Sequence, residues 1–432
     1  MKFFKLFNPI FLGLFVIVST FSACLKDGPI VDDPDLNRLV VVPSSNNINL
    51  GDTVHFDIIY LGEIIEADLY VNEEKIQGVD YVFNEEDTYE IIAKKVNYKN
   101  SYPIVITITG DIPNNSYNVY VVGGYVVDGN MSAVLWTNDS VDFINFGNGE
   151  ATSVFVYEDV PYITSTDYYN EINLWQYDQK TNLYSDNNAT NFIYSTSIYV
   201  ENGITYVAGN IASQALYWKG MTINELSDTS EAYEVLDLVV DNGEILAVGN
   251  YYENGNYIAN IWANGDRWSL SNEANSAARA ITVLNGDYYA TGYSGNLFTE
   301  KACIWDNSGM VKLQSPQGFS SGNDILIYNG KTYVVGEHIN DMEWSYAMFW
   351  IDGNMKKIND DDHLAVANSI AVAPDGSIYI AGWIKHYSDQ NRSAVYWKFD
   401  TSGNLVEEVR LTDGSKNGEA MGIAIGASTT SP

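Results

Sequence analysis

Residues Asp324–Gly336 read DILIYNGKTYVVG, which is two short runs of alternating apolar residues joined by an Asn-Gly pair. The same pattern occurs at Ser197–Gly209 (SIYVENGITYVAG) and at Ser369–Gly382 (SIAVAPDGSIYIAG). Asn-Gly and Asp-Gly accept the positive φ angles of a tight type I′ turn. Each segment is therefore predicted to be a β-hairpin whose second strand ends in glycine.

A tryptophan follows these hairpins at nearly constant spacing, and the successive intervals are 39, 43, 44, 43, 45 and 47 residues. The seven tryptophans are Trp136, Trp175, Trp218, Trp262, Trp305, Trp350 and Trp397. Each ends a third strand that precedes a weaker fourth one, and four antiparallel strands at this period match the blade of a β-propeller. We predict that residues 111–426 form a seven-bladed β-propeller with these tryptophans in its interior.

The two ends of the repeat array are complementary. Tyr117–Gly123 begins at the second strand of a repeat, and no first strand precedes it. Glu419–Ile425 matches the first strand of the preceding repeat, Asn368–Val372, and no second strand follows it. Pairing the two would remove two exposed strand edges. The C-terminal strand is therefore expected to close the propeller, leaving residues 427–432 as a tail.

The repeats also resemble known families. Ala367–Val409 resembles the bacterial propeller repeats of the SBBP and NHL-like kind, and Ala215–Trp218 and Ala347–Trp350 resemble HAF-type extracellular repeats. These resemblances imply a scaffold, and they supply no catalytic residues, since such families share no single activity.

The N-terminus has the layout of a secretory signal: basic Lys2 and Lys5, the apolar run Ile10–Val18 and small residues before Cys24. A spanning helix is the alternative, but Pro9 and the short apolar centre disfavour it. Phe21-Ser22-Ala23-Cys24 resembles the bacterial lipobox, which implies cleavage before Cys24 and lipidation of that cysteine. Residues 1–23 are then a lipoprotein signal peptide.

Residues 24–36 contain the acidic run Asp32-Asp33-Pro34-Asp35 and are expected to be a flexible tether. The absence of Asp directly after Cys24 resembles outer-membrane lipoproteins. Lys26-Asp27 partly resembles the export signal of surface lipoproteins in Bacteroidota-type bacteria. The resemblance implies a lipid-anchored outer-membrane protein, on either the cell surface or the periplasmic face.

Residues 37–110 alternate in the manner of half-buried strands, with Val54, Phe56 and Ile58 on one face and His55 and Asp57 on the other. About 70 residues of this pattern suit one β-sandwich. The pattern resembles a bacterial Ig-like domain without a disulfide, and we interpret it as a spacer.

Charge and cysteine content exclude several functions. The net charge of −34 makes nucleic acid an unfavourable partner. Two cysteines provide neither a disulfide framework nor a cysteine zinc site. The nucleophile-elbow, zincin, P-loop and dinucleotide motifs are all absent, and no cofactor is expected. Asp360 and Asp362 lie in the acidic run Asn359–His363. This run could bind a calcium ion, and the alternative is a solvated loop without a metal.

Bulky aromatics follow the terminal glycine of several hairpins, on loops from second to third strands that share one rim. Variable, aromatic-tipped loops on a rigid ring suit ligand binding, and aromatic faces stack on sugar rings. The candidates are Tyr125, Tyr168, Tyr169, Tyr251, Tyr252, Tyr293, Trp344, Trp383 and Tyr387. The alternative is that these side chains only pack the loops.

The preferred hypothesis is an extracytoplasmic binding protein that contacts a glycan, or another outer-membrane protein, through this rim. A polysaccharide-active hydrolase or lyase is the second hypothesis, and it needs two carboxylates roughly 5 to 9.5 Å apart. The candidate carboxylates are Asp167, Glu171, Glu253, Glu337, Asp341, Glu343 and Asp389, and no spacing selects a pair. A protein-interaction scaffold is the third hypothesis.

Overall fold

The structure is a computed structural model that describes residues 38–43, 53–60, 63–83, 87–101, 103–108, 117–138, 140, 143–168, 171–177, 179–186, 191–226, 232–263, 265–296 and 299–427. The predicted signal peptide, Cys24, the tether and residues 428–432 lie outside these ranges. Within them every regular element is a β-strand. They contain no helix with the length and apolar character needed to span a bilayer. The chain divides into two compact units, Met1–Asn114 and Asn115–Pro432.

The first unit consists of two antiparallel sheets around one core. One sheet has the order β1-β2-β3 with β6 paired to β2, and the other has the order β5-β4-β7-β8. Val54, Phe56 and Ile58 are almost completely buried against side chains of the second sheet. The strands are β1 (Val40–Pro43), β2 (Thr53–Tyr60), β3 (Glu63–Ile64), β4 (Asp68–Val71), β5 (Glu74–Lys75), β6 (Asp80–Val82), β7 (Asp87–Lys94) and β8 (Ile104–Ile108).

The second unit contains seven four-stranded antiparallel sheets, which we number by chain order. Sheet 1 consists of β9 (Tyr117–Val127), β10 (Asn130–Thr137), β11 (Phe143–Asn148) and β36 (Gly418–Ala427). Sheet 2 has β12 (Glu150–Tyr157), β13 (Val160–Asp167), β14 (Glu171–Gln176) and β15 (Gln179–Ser185). Sheet 3 has β16 (Ile193–Glu201), β17 (Ile204–Ile211), β18 (Gln214–Lys219) and β19 (Thr222–Glu225).

The other four sheets repeat this plan. Sheet 4 has β20 (Ala232–Asp241), β21 (Glu244–Glu253), β22 (Asn256–Ala263) and β23 (Asp266–Ser269). Sheet 5 has β24 (Ser276–Leu284), β25 (Asp287–Ser294), β26 (Lys301–Asp306) and β27 (Gly309–Lys312). Sheet 6 has β28 (Phe319–Tyr328), β29 (Lys331–Ile339), β30 (Ser345–Ile351) and β31 (Asn354–Lys357). Sheet 7 has β32 (His363–Val372), β33 (Ile378–His386), β34 (Ser393–Phe399) and β35 (Leu405–Arg410).

The last strand completes the first sheet. β36 pairs antiparallel along β9, with Ile423 opposite Val121. The inner strand of each sheet contacts the inner strand of the next, and β32 of sheet 7 contacts β36. Repeated four-stranded antiparallel sheets whose inner strands adjoin in this way make the unit a β-propeller.

The seven tryptophans pack between neighbouring sheets. Six are at most 1% exposed and Trp175 is 9% exposed. Trp262 of sheet 4 clusters with Tyr206 and Ala208 of sheet 3, and Trp136 of sheet 1 clusters with Tyr379 of sheet 7. Burying one indole removes enough apolar area from water to contribute roughly 4 kcal/mol. Each indole therefore links its own sheet to the preceding one.

The hairpin turns differ in one instance from the sequence interpretation. Asn329 and Gly330 have φ angles of +49° and +71°, as a type I′ turn requires. Near Asp375 only Gly376 has a positive φ, and its amide donates to Ala373. The prediction of a two-residue turn there was wrong, because Pro374 fixes φ near −65° and favours a longer loop around a type I turn.

Candidate functional site

Each inner strand of the second unit contains one β-bulge at an equivalent position. In sheet 5, for example, the pairing register shifts between Ala278 and Ala280, so Arg279 has no partner residue on β25. A bulged residue leaves the ladder and its side chain is redirected. The seven bulged residues are Thr152, Thr196, Leu236, Arg279, Asn323, Asn368 and Met421.

The bulges explain the glycine that ends the second strand of most repeats. A Cβ atom on Gly292 would lie 1.9 Å from the carbonyl oxygen of Ala277, two residues before the bulge. A Cβ on Gly249 would lie 1.9 Å from the corresponding carbonyl oxygen of Glu234. Sheet 2 has Ser165 at this position, and its hydroxyl accepts a hydrogen bond from Trp175 Nε1. The backbone approach at the bulge therefore selects glycine in the other six sheets.

All seven bulged residues line a single cavity of about 860 Å³. The cavity lies where the inner strands begin, so it is bounded by the ends of strands and by the connections between sheets. Its remaining lining residues are Glu150, Thr166, Asp167, Tyr168, Phe192, Ile193, Tyr194, Ser195, Glu234, Asn250, Tyr257, Ala277 and Tyr293. We call this space the central cavity.

Three aromatic side chains of the central cavity are unusually exposed. Phe192 is 76% exposed, Tyr168 is 60% exposed and Tyr257 is 44% exposed. The Phe192 ring lies 5.3 Å from that of Tyr194, and the Tyr257 ring lies 5.3 Å from that of Tyr252. Apolar surface concentrated at one place on a protein indicates an interaction site.

Carboxylates are concentrated on one side of the central cavity. Glu150 and Glu234 occupy equivalent positions in sheets 2 and 4, each two residues before the bulge. Desolvation, and then the nearby charge of Glu419, raise the pKa of Glu150. Burial, and then the Glu234 carboxylate, raise the pKa of Tyr194, so this phenol keeps its proton. Sheets 2 to 4 therefore give the cavity an acidic and aromatic wall.

The cationic group of the central cavity already has partners. The guanidinium of Arg279 donates to Asn323 Oδ1 at 2.8 Å and lies 3.9 Å from the Glu337 carboxylate. It also packs 5.5 Å from the centre of the Tyr293 ring. Desolvation raises the pKa of Glu337, while Arg279 opposes that rise. The charge of Arg279 is largely balanced within the protein.

The aromatic residues selected from the sequence are not brought together as one group. Tyr168 and Tyr293 line the central cavity, and Tyr169 lies outside the described residues. Tyr125 packs against Phe143, and Tyr251 lies under Arg267. Trp344 and Tyr387 stack on each other 6.2 Å apart, away from the cavity lining.

Several of these aromatics also lie on strands, whereas the sequence placed them on loops. Tyr125, Tyr251, Tyr252, Tyr293 and Trp383 all fall inside second strands. The second strands continue beyond the glycine because the third strands pair with them up to the rim. Trp383 is only 7% exposed and is covered by the Arg392 guanidinium at 4.1 Å. Neighbouring side chains along a strand point to opposite faces of the sheet, so the aromatic residues selected from the sequence do not all face the same side.

The carboxylates selected from the sequence are similarly dispersed. Asp167 lines the central cavity, and the Glu337 carboxylate lies 3.9 Å from the Arg279 guanidinium. Glu171 forms an ion pair with Lys180 at 2.9 Å. Glu253, Asp341, Glu343 and Asp389 are exposed and are not part of the cavity lining.

Sequence reasoning missed Glu150, Phe192, Tyr194, Glu234 and Tyr257. Only the residues that follow the hairpin glycine were considered. The connection into the next sheet and the start of the third strand reach the same rim by the same topology. Applying the rim argument to those segments would have selected Phe192 and Tyr257.

Two aspartates immediately after the bulges connect neighbouring sheets. Asp237 of sheet 4 accepts hydrogen bonds from Ser197 Oγ of sheet 3 at 2.5 Å and from the Ile281 amide of sheet 5 at 2.8 Å. Asp324 of sheet 6 accepts from Ser369 Oγ and the Ile370 amide of sheet 7, both at 2.9 Å.

Desolvation is the first cause of the raised pKa of both carboxyls, to about 7 for Asp237 and about 6 for Asp324. Each residue is partly exposed as a whole, but its carboxylate oxygens face these donors and lose water.

One of the two metal candidates, Asp360, has partners for its carboxylate within its own loop. Asp360 Oδ1 lies 2.7 Å from His363 Nδ1 and accepts from the Asp362 amide at 3.1 Å. Across the ranges that the structure describes, no group of three or more His, Cys, Asp or Glu side chains is placed to hold a metal ion. Consecutive carboxylates on one short loop cannot all converge on one point.

Comparison with known proteins finds distant structural similarity. No protein-family profile matches the chain, and no curated protein matches its sequence. TolB from Acinetobacter baumannii is similar with a TM-score of 0.35 and 10% identity, covering 79% of this chain and 80% of TolB. The β-propeller domain of the Trilobed protease from Pyrococcus furiosus gives a TM-score of 0.37 and 11% identity, covering 87% of this chain and 99% of the domain. Both similarities are distant, and nothing about ligand or activity follows from them.

Proposed function

We propose that this protein is a lipid-anchored, extracytoplasmic binding protein that binds a glycan in the central cavity of a seven-bladed propeller. Residues 1–23 are the signal peptide, and Cys24 carries the lipid on the outer membrane, at the cell surface or the periplasmic face. Along the chain, residues 24–36 and an Ig-like first unit come between the lipidated cysteine and the propeller.

One observation supports glycan binding above the others: Tyr168, Phe192 and Tyr257 expose their rings at the same cavity. The C–H faces of a sugar ring are apolar and stack on such rings, while its hydroxyls need polar partners. Amide and carboxylate groups of Asn250, Asp167 and other lining residues supply those partners. A cavity of about 860 Å³ also falls within the usual size of small-ligand sites.

The propeller part of the proposal rests on the sheet count and the cycle of contacts. Seven four-stranded sheets follow one another, and the first and last strands of the second unit pair in sheet 1. The Ig-like part rests on two antiparallel sheets with a shared core in the first unit. The lipid-anchor part rests on the lipobox resemblance, and Cys24→Ala should abolish the incorporation of labelled fatty acid in cells.

The glycan proposal is tested with the full-length protein in detergent, first on a glycan array and then by calorimetry with the best ligand. Tyr168→Ala and Phe192→Ala should each weaken binding about tenfold, which corresponds to ~1.4 kcal/mol. Tyr387→Ala is the matched control, because Tyr387 is 56% exposed and is not part of the cavity lining. Equal losses in all three variants, or no glycan bound at all, would contradict the proposal. The latter result would favour a protein-interaction scaffold.

A polysaccharide-active enzyme is the second candidate, and Glu150 is the observation that favours it. Burial raises the pKa of this carboxyl, as a general acid requires, and Glu234 lines the same cavity. Incubating the full-length protein with the bound polysaccharide and measuring new reducing ends separates the candidates. Cleavage that Glu150→Gln abolishes would establish the enzyme, and unchanged substrate would leave the binding protein.

A further inference from the structure

The equivalent positions two residues before each bulge differ in polarity around the ring, and those of sheets 2 to 5 line the central cavity. In sheets 1, 2, 3 and 4 these positions hold Glu419, Glu150, Tyr194 and Glu234. In sheets 5, 6 and 7 they hold Ala277, Ser321 and Val366. Acidic side chains therefore lie on one arc of the ring, and small or apolar side chains lie on the other.

Two arginines of the second unit that lie at this end of the propeller each have a carboxylate beside them. Arg392 forms an ion pair with Glu419 at 2.9 Å and covers Trp383. Arg279 is held by Asn323 and Glu337 on the opposite side. An anionic ligand would therefore meet the acidic arc without a free cation to receive it.

Glu150 and Glu234 differ from Glu419, because neither forms an ion pair within the part of the chain that the structure describes. Glu150 accepts a hydrogen bond from the Tyr168 hydroxyl at 3.5 Å. Glu234 accepts one from Asn250 Nδ2 at 3.3 Å and another from the Tyr194 hydroxyl. None of these partners carries charge. A cation could therefore bind these two carboxylates without breaking an ion pair within the protein.

Aromatic rings stand beside both carboxylates. Tyr168 adjoins Glu150, and Tyr194 adjoins Glu234, with Phe192 and Tyr257 exposed nearby. The faces of aromatic rings attract cations, by about 0.5–2 kcal/mol according to exposure. The Thr196 hydroxyl, in the same lining, is enclosed and has no hydrogen-bond partner among the described residues.

We propose that the central cavity selects glycans whose sugars carry a free, positively charged amino group, with Glu150 and Glu234 receiving the ammonium and Tyr168 and Phe192 stacking on the ring. This inference rests on the proposed function, since it specifies the class of glycan. N-acetylation removes the charge and is expected to weaken binding.

The test is calorimetric titration of the full-length protein with two oligomers of equal length, one of glucosamine and one of N-acetylglucosamine. The glucosamine oligomer should bind at least tenfold more tightly, and its affinity should fall as NaCl is raised. Glu150→Gln and Glu234→Gln should each weaken glucosamine binding about tenfold and weaken N-acetylglucosamine binding much less, since the amide that replaces each carboxylate can still bind a hydroxyl. Glu253→Gln is the control, because Glu253 is exposed at the end of β21 and lies outside the cavity lining.

Thermal melting of each variant verifies that it remains folded. Equal affinity for the two oligomers, or equal losses in Glu150→Gln and Glu253→Gln, would overturn the inference. If neutral glycans bind and Phe192→Ala abolishes their binding, the inference fails and the proposed function stands. If a linear polyamine binds as tightly as the glucosamine oligomer and Phe192→Ala does not change either affinity, the cavity recognises positive charge and not a sugar ring. The proposed function then fails.

Discussion

The seven tryptophans between the sheets and the seven bulged residues of the central cavity make an instructive comparison. Each set contributes one residue per sheet at an equivalent position. The first set is chemically constant and at most 9% exposed. The second set varies among Thr, Leu, Arg, Asn and Met, and all of its members line one cavity.

The difference follows from what each set touches. An indole packs on the preceding sheet, and because every sheet has nearly the same neighbour, the same side chain fits each time. A bulged residue has left the strand ladder, and its contacts differ from sheet to sheet, although Asn323 and Asn368 both donate to a carbonyl oxygen of the next sheet. In a repeat protein, positions that stay constant therefore indicate packing between repeats, and positions that vary around a shared cavity are candidates for ligand contact.

The largest effect expected from this comparison is at an indole. Trp350→Ala removes a fully buried side chain that packs against sheet 5 and donates to the Gln314 carbonyl. The free energy of unfolding should fall by about 3–5 kcal/mol. Chemical denaturation measures it, and Trp268→Ala, at a residue 43% exposed on β23, is the control. Similar losses of unfolding free energy in both variants would contradict the role of the repeated indoles in packing between sheets.

A smaller effect is expected at the glycine opposite a bulge. In Gly292→Ala the new Cβ would lie 1.9 Å from the Ala277 carbonyl oxygen, so β24 must shift. Such overpacking should cost about 1–3 kcal/mol of unfolding free energy and displace Arg279. Ser165→Ala at the same position of sheet 2 should cost about 1 kcal/mol, because only the hydrogen bond from Trp175 is lost. Full stability of Gly292→Ala would show that the bulge does not require glycine.

The aspartates after the bulges should make stability depend on pH. The pKa of Asp237 rises from its usual 3.8 to about 7 in the folded protein, so the folded state binds a proton that the unfolded state releases. The contribution to stability is complete below pH about 4 and is lost as pH rises through about 7.

Denaturation at pH 5 and pH 8 measures this dependence. Asp237→Asn should remove on the order of 1–2 kcal/mol of the difference in unfolding free energy between the two pH values. Asp324→Asn should remove less, since its pKa rises only to about 6. Asp266→Asn, at an exposed position of β23, is the control. A pH profile unchanged by Asp237→Asn would show that this carboxyl is not desolvated.

The smallest effect on stability is expected at a bulged residue. Leu236→Thr introduces the side chain that sheets 2 and 3 carry at Thr152 and Thr196. The free energy of unfolding should change by less than about 0.5 kcal/mol, because Leu236 is partly exposed in the cavity. Glycan affinity should change instead. A loss of stability as large as that of Trp350→Ala would mean that the bulged set also supports the fold.

The repeating architecture could be predicted because its signals are local. The turn at Asn329-Gly330 depends only on the positive φ angles of these two residues. The alternation of side chains along a strand follows from the backbone period of two. The glycine at the strand end was also visible in the sequence. The reason for this glycine could not be predicted, because the close approach of a carbonyl oxygen depends on the register between two strands.

The site was predicted only in part, for the same reason. Tyr168 and Tyr293 were selected and do line the central cavity, whereas Trp383 is covered by Arg392. Glu150 was missed because nothing in its sequence neighbourhood distinguishes it, and Phe192 was missed because the connections between sheets were not considered. Their proximity depends on residues 42 positions apart meeting at one rim.

The sequence by itself determined that short strands repeat, where they turn and which indole each repeat buries, since these follow from local backbone preferences and apolar periodicity. Only the tertiary structure decided which residue of each inner strand leaves the ladder and which carboxylates and rings meet around the cavity. A shift of one residue in pairing turns a side chain from one face to the other, and that register is fixed only when the sheets pack together.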